Sequence, residues 1–154
     1  MSFYFLESSA LGKRYTIEIG TPWLNALVAP SSGHRIGIAQ ITPLELVSSL
    51  ARKQRETRIS SRTLQAALLL IERHVNREYI VVQLNKQVEQ EAKRLLVTYP
   101  MRAMDSIQLA SALVINHQLI QAGMPPLTFI CSDKQLLSAA TQEQLAIDNP
   151  NLYP

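Results

Sequence analysis

Of the twelve acidic residues in this chain only three are aspartates, Asp105, Asp133 and Asp148. Four carboxylates fall where one stretch of regular pattern gives way to the next. Glu7 follows the run Phe3-Tyr4-Phe5-Leu6, Glu45 sits in Thr42-Pro43-Leu44-Glu45, Asp105 heads a long apolar stretch, and Asp133 follows Leu127 to Cys131. Four carboxylates crowded into a partly desolvated pocket repel one another by several kcal/mol, so a fold keeps such a group mainly when a cation occupies its centre. With no histidine beside these positions and Cys131 read as a buried strand residue, oxygen-only ligation points to Mg²⁺ or Mn²⁺ rather than zinc or copper. Such a centre leaves coordination places for water and phosphate oxygens, which suits phosphodiester hydrolysis by a metal-activated water.

Each acid also has a purely structural reading. Thr42-Pro43-Leu44-Glu45 reads as a capping box with proline at the first helical position. Asp133 reads as a helix cap, Asp105 as a complement to a helix dipole, and Glu7 as an exposed strand terminus. What favours chemistry is their joint placement, and that depends on the elements that carry them.

The pattern along the chain predicts strands at Phe3–Leu6, Arg35–Ala39, Tyr79–Val82 and Leu127–Cys131, with a weak edge strand at Leu145–Ile147. Helices fall between them: from Ser8 and Ser9, from Pro22 through Val28, from Leu44 through Ala51, along Leu64 to Val75, from Asn85 to Tyr99, from Ala103 to Ala122, and from Asp133 to Ala140. The stretch Ala103–Ala122 is apolar almost all round and marks a central buried helix, stopped by Gly123, Pro125 and Pro126. Apolar strands separated by helices imply parallel pairing with helices on both faces, an α/β three-layer sandwich with a mainly parallel sheet of four or five strands. In such a sheet function gathers at the carboxyl ends of the strands. Glu7, Glu45 and Asp133 follow strands there. Asp105 heads a helix that runs antiparallel to the strand it feeds, so its end also lies at that edge.

The composition is consistent with this. In 154 residues, 47% are apolar and 18% charged, which suits a single globular domain over 1–154 and excludes a disordered chain or a fibre. No apolar run approaches the ~20 residues of a membrane span and no leader pattern opens the chain, so a cytoplasmic protein without membrane association is expected. One cysteine excludes an internal disulfide framework. A net charge of +3 permits a polyanionic partner without requiring one. A receiver- or phosphatase-like α/β domain is disfavoured, because the chain has no glycine-rich phosphate loop and no Asp-x-Asp pair after the first strand.

Four segments, Phe5-Leu6-Glu7-Ser8-Ser9-Ala10-Leu11, Thr42-Pro43-Leu44-Glu45, Met104-Asp105-Ser106-Ile107-Gln108-Leu109-Ala110 and Cys131-Ser132-Asp133-Lys134-Gln135-Leu136-Leu137, resemble in order and spacing the four acidic motifs of PIN-domain ribonucleases. The nearest subgroup is the VapC-type toxins of bacterial toxin–antitoxin pairs. The resemblance implies a Mg²⁺- or Mn²⁺-dependent endoribonuclease, a homodimer, and inhibition by a small antitoxin protein. Glu45, Asp105 and Asp133 match the second, third and fourth acids. Glu7 stands where the family has an aspartate, which adds about 1.5 Å of reach. Ser9 matches the family's hydroxyl residue two places on, which positions a ligand water or the first carboxylate; Ser132 fits the hydroxyl before the fourth acid only loosely.

On this reading Glu7 and Asp105 hold the metal, helped by Asp133 and Glu45, and either Glu45 or Asp133 receives the proton of the attacking water. Arg52, Lys53, Arg55 and Arg58, with Arg62, cluster after Glu45 as candidates to track an RNA backbone. Lys13 and Arg14 are open to either role. His34, His74 and His117 lack ligand spacing, and Glu89 and Glu91 read as a solvated face with Lys93 and Arg94. The competing function is a catalytically weakened PIN-like module that binds RNA or protein, since a ~1 Å displacement at Glu7 can cost ~100-fold in rate.

Overall fold

The computed structural model describes residues 1–154. Five parallel strands, β1 (Phe3–Leu6), β2 (Arg35–Ala39), β3 (Tyr79–Val82), β4 (Thr128–Ile130) and β5 (Ala146–Asp148), form one sheet in the order β3-β2-β1-β4-β5. The chain winds outward from β1 to β3, then returns to place β4 on the other side of β1. The strand order therefore reverses between β1 and β4, the crevice where doubly wound sheets hold ligands. Leu6 pairs with Ile130 there, so Glu7 and Cys131 emerge side by side.

Strand alternation divides the core in two. Phe3, Phe5 and Phe129 point to a layer made by α5 (Lys86–Thr98), α6 (Ala103–Gln121) and α7 (Lys134–Gln142). Leu6, Ile36, Ile38 and Ile130 point to the opposite layer, made by α1 (Ser8–Leu11), α2 (Thr21–Val28), α3 (Thr42–Arg55) and α4 (Ser61–Arg77). Phe5 and Phe129 stack with ring centroids 5.9 Å apart. Gly37 on β2 makes room for this packing, since a Cβ there would stand 2.7 Å from the Phe3 ring.

Local chemistry sets the boundaries. Asn85 Oδ1 accepts from Val88 N to start α5, Ser60 Oγ accepts from Thr63 N to start α4, and Gly123 ends α6 at φ +73°. Asn116 on α6 accepts from Leu127 N at 2.9 Å, which ties the central helix to the entry of β4. Helix α6 buries Gln108, Leu109, Ala110, Ser111 and Ala112 in succession, as its all-round apolar pattern requires. No helix is long and apolar enough to cross a membrane.

Several expected boundaries shift. β4 is shorter than Leu127–Cys131, and α7 runs two residues past Ala140. More consequentially, α3 begins at Thr42 with Ile41 as its N-cap and no side-chain cap, so Thr42-Pro43-Leu44-Glu45 is not a capping box. The Thr42 side chain is instead buried against Gln108.

Candidate active site at the carboxyl edge

Glu7 leaves β1 and turns inward, where it is only 4% exposed. It caps α1, accepting the Ser9 amide at 2.9 Å on Oε2. The Ser9 hydroxyl and the Cys131 thiol, the latter at 3.3 Å, donate to the same oxygen, while the Ser8 hydroxyl donates to Oε1 at 2.7 Å. No lysine, arginine or histidine pairs with this buried anion. The structural reading of Glu7 as an exposed strand end therefore fails, and Ser9 does hold the first carboxylate.

Glu45 lies on the first turn of α3 and is neighbour to Glu7 through a shared donor. The Ser8 hydroxyl that bonds Glu7 also lies 3.3 Å from Glu45 Oε1. Gln108 Nε2 donates to the same Oε1 at 2.6 Å. Burial holds the Glu45 carboxyl above its ordinary range and the negative charges of Glu7 and Asp105 add to the rise, against the opposing hydrogen bonds from Gln108 and Ser8. Three carboxylates thus share one electrostatic neighbourhood.

Asp105 stands on the first turn of α6, where its one hydrogen bond is to Arg102 N at 3.4 Å. Asp133 caps α7, with Oδ1 accepting from Gln135 N at 2.8 Å and Leu136 N at 3.0 Å, as its structural reading required. Asp105 and Asp133 line a small polar cavity of about 380 Å³ together with Arg102 and Gln135. A neighbouring cleft of about 500 Å³ is lined by Ser8, Ser9, Glu45, Arg52 and Arg102. The acids form a row along the edge, Glu7 beside Glu45, Glu45 near Asp105, and Asp105 across from Asp133, with Arg102 as the wall between the two cavities. As the side chains stand, no three Asp, Glu, His or Cys residues close around a single point where a metal ion would sit. By donor type the set fits a hard divalent cation: oxygen ligands only, with a buried carboxylate that no basic side chain neutralises.

The basic residues separate on inspection. Arg52 lines the cleft beside Glu45 and forms no ion pair. Lys53 is turned away, its ammonium 2.7 Å from Glu18 and its side chain 14% exposed, and Lys13 approaches the same Glu18 at 3.4 Å. Arg58 pairs with Glu56, and Arg14 with Glu78. Arg55 is exposed on the last turn of α3, without an ion pair. Of the histidines, His74 meets Tyr15 at 2.9 Å and His34 packs edge-on to Tyr4, away from the acids. Glu89 and Glu91 pair with Lys93 and Arg94 on an exposed helix face.

Sequence reasoning missed Ser8, Thr42, Gln108 and Arg102. Gln108 carried a signal: a polar residue in an otherwise apolar, fully buried stretch needs a polar partner.

No family model matches the chain, and no curated protein matches it in sequence. Solved structures do match in fold. VapBC2 from Rickettsia felis, bound to a DNA fragment from its promoter, superposes with a TM-score of 0.63 at 11% identity, over 96% of this chain and 98% of that one. VapBC-1 from nontypeable Haemophilus influenzae gives 0.61 at 15% identity, over 96% and 98%. The sarcin-ricin loop cleaving toxin VapC20 from Mycobacterium tuberculosis gives 0.60 at 15% identity, over 88% and 94%. The chain has the three-layer, PIN-like fold of the VapC-type toxins.

Proposed function

We propose that this protein is a metal-dependent endoribonuclease that hydrolyses RNA phosphodiester bonds as the toxin of a toxin–antitoxin pair. The observation that carries the reading is the row of carboxylates at the switch point of the sheet, where burial first and then the charges of Glu7 and Asp105 raise Glu45. A half-buried carboxyl with acidic neighbours and no basic partner is suited to a divalent cation. The VapC fold supports the toxin reading, and the VapBC complexes among the structural neighbours support a small antitoxin as partner.

Glu7 and Asp105 would hold Mg²⁺ or Mn²⁺, helped by Glu45 from the first cleft and by Asp133 from across the second cavity. Bound there, the cation would polarise a phosphate oxygen and lower the pKa of its water. Ser9 fixes Glu7 through both its amide and its hydroxyl. Glu45 is the proton acceptor in this reading, because burial and then its acidic neighbours raise its carboxyl above the ordinary range and it lines the cleft beside Arg52. Arg52 and Arg102, neither of them ion-paired, offer guanidinium groups to phosphates entering the cleft. In this reading the protein acts as a homodimer, like the family it resembles.

The deciding experiment measures RNA cleavage with Mg²⁺ or Mn²⁺ against a chelator, for the native protein and for Asp105→Asn and Glu7→Asp. Metal-dependent cleavage lost in Asp105→Asn is expected. A native protein that is inert while Glu7→Asp cuts would instead establish the weakened binding module. If neither cuts and neither binds metal, the nuclease reading falls.

A further inference from the structure

Gln108 is fully buried on α6, one helical turn beyond Asp105. A carboxamide placed among apolar groups must satisfy its hydrogen bonds or cost the fold their desolvation. Gln108 satisfies them within one triangle. Its Nε2 donates to Glu45 Oε1 at 2.6 Å and to Thr42 Oγ1 at 3.0 Å, and the Thr42 hydroxyl lies 3.3 Å from Gln108 Oε1. Thr42 and Glu45 are themselves three residues apart on α3, so one i, i+3 pair on that helix presents both groups to Gln108 on α6.

The geometry admits only one orientation of the amide. A carboxylate accepts and cannot donate, so the NH₂ end must face Glu45 and the carbonyl end must face away. Thr42 then fixes the rotation about the last bond. The consequence falls on Glu45, which lines the cleft shared with Ser8, Ser9 and Arg52: its Oε1 is committed to Gln108 and Ser8, while its Oε2 has no protein partner.

We propose that Gln108 is a positioning residue that clamps Glu45 by one oxygen, so that the other faces the reacting phosphate. This rests on the nuclease reading and adds to it the device that holds its outer acid. Glu45 stands on a long, flexible side chain at the mouth of a cleft, and a group that must meet a proton in register loses rate when it swings by even ~1 Å. Thr42 is the second half of the clamp, since without it the carboxamide is free to rotate.

The test combines kinetics with spectroscopy on metal-free protein. Gln108→Met keeps length and removes the donor. It is expected to lower kcat on the order of 10- to 100-fold with KM within about twofold of native, the range found when a partner supporting a catalytic ligand is removed. In a Glu45→Gln background the same substitution is expected to cost less than about twofold, because Gln108 acts only through Glu45. In ¹⁵N-labelled protein held in chelator, the Gln108 amide should carry one downfield proton, as charge-assisted bonds do, and Glu45→Gln should move it toward the position of a free carboxamide.

Native kcat in Gln108→Met, an equal loss in both backgrounds, or an amide signal unmoved by Glu45→Gln overturns the proposal. Should Gln108→Met fail to fold, the amide comparison, made on the native glutamine, decides alone. RNA left uncut by both the native protein and Glu7→Asp removes the nuclease reading, whereas cleavage at the native rate in Gln108→Met removes only the clamp.

Discussion

The Cys131 thiol donates to Glu7 Oε2 at 3.3 Å, a sulfhydryl held against a buried carboxylate where the strand order reverses. Burial, and after it the Glu7 charge, pushes the thiol far above its ordinary range. Thiolate is the reactive form, so this cysteine is protected by electrostatics as well as by packing. Ellman's reagent at pH 8 should label native protein at least ~100-fold more slowly than protein in denaturant. Equal rates would show that the thiol is neither buried nor held by Glu7.

Asp105→Asn should abolish cleavage while leaving the fold intact. Its carboxylate has one weak hydrogen bond, to Arg102 N, so little structure depends on its charge. A loss of 100-fold or more in kcat, at a stability within ~0.5 kcal/mol of native, is the expected result. A comparable loss of stability and activity would instead make Asp105 a helix-capping residue.

Glu7→Asp tests the one departure from the resembled family. Aspartate is the better N-cap and keeps the Ser9 amide within reach, while the shorter side chain withdraws from Cys131. Stability should change by less than ~1 kcal/mol, and metal-dependent cleavage should equal or exceed native. A slower variant would mean that this site is built around the longer glutamate.

Arg52 and Lys53, adjacent in sequence, should respond differently to alanine. Arg52→Ala should weaken RNA binding severalfold and reduce the salt dependence of log K by about 0.7, one phosphate contact on a single strand. Lys53→Ala should leave RNA binding unchanged and cost roughly 0.5–1 kcal/mol, because its ammonium is engaged with Glu18. Filter binding across a salt series and thermal melts separate the two.

Much of the fold is legible in the sequence. The unbroken apolar run Phe3–Leu6 and the β-branched run Tyr79–Val82 locate strands, and the all-round apolar stretch after Ala103 locates the central helix, because burial on both faces imposes those patterns. The placement of Glu7 and Asp133 at one edge followed from topology. What escaped was pairing through side chains. Thr42 resembled a cap because threonine and proline before a glutamate ordinarily make one, yet tertiary packing gave its hydroxyl to Gln108. Lys53 resembled its neighbour Arg52, and only the approach of Glu18 from the segment after α1 distinguishes them. Spacing along the chain carries no information about which distant side chain will meet a given donor.

Glu45 makes stability depend on pH in a direction that can be worked out. Its folded pKa is raised, so the folded chain binds this proton more tightly than the unfolded chain does. Stability contributed by the neutral acid is therefore complete below the unfolded value of about 4.3 and is lost as pH climbs through the raised value. Glu45→Gln carries no charge at any pH, still accepts from Gln108 through its carbonyl, and escapes both the cost of burying a charge and the repulsion of Glu7 and Asp105. In chelator, this variant should melt above native at pH 7, with the difference shrinking steadily as pH falls toward 4. A difference that stays constant across that range would mean that neither burial nor its acidic neighbours raise Glu45, and the electrostatic argument for a cation site would lose its main support.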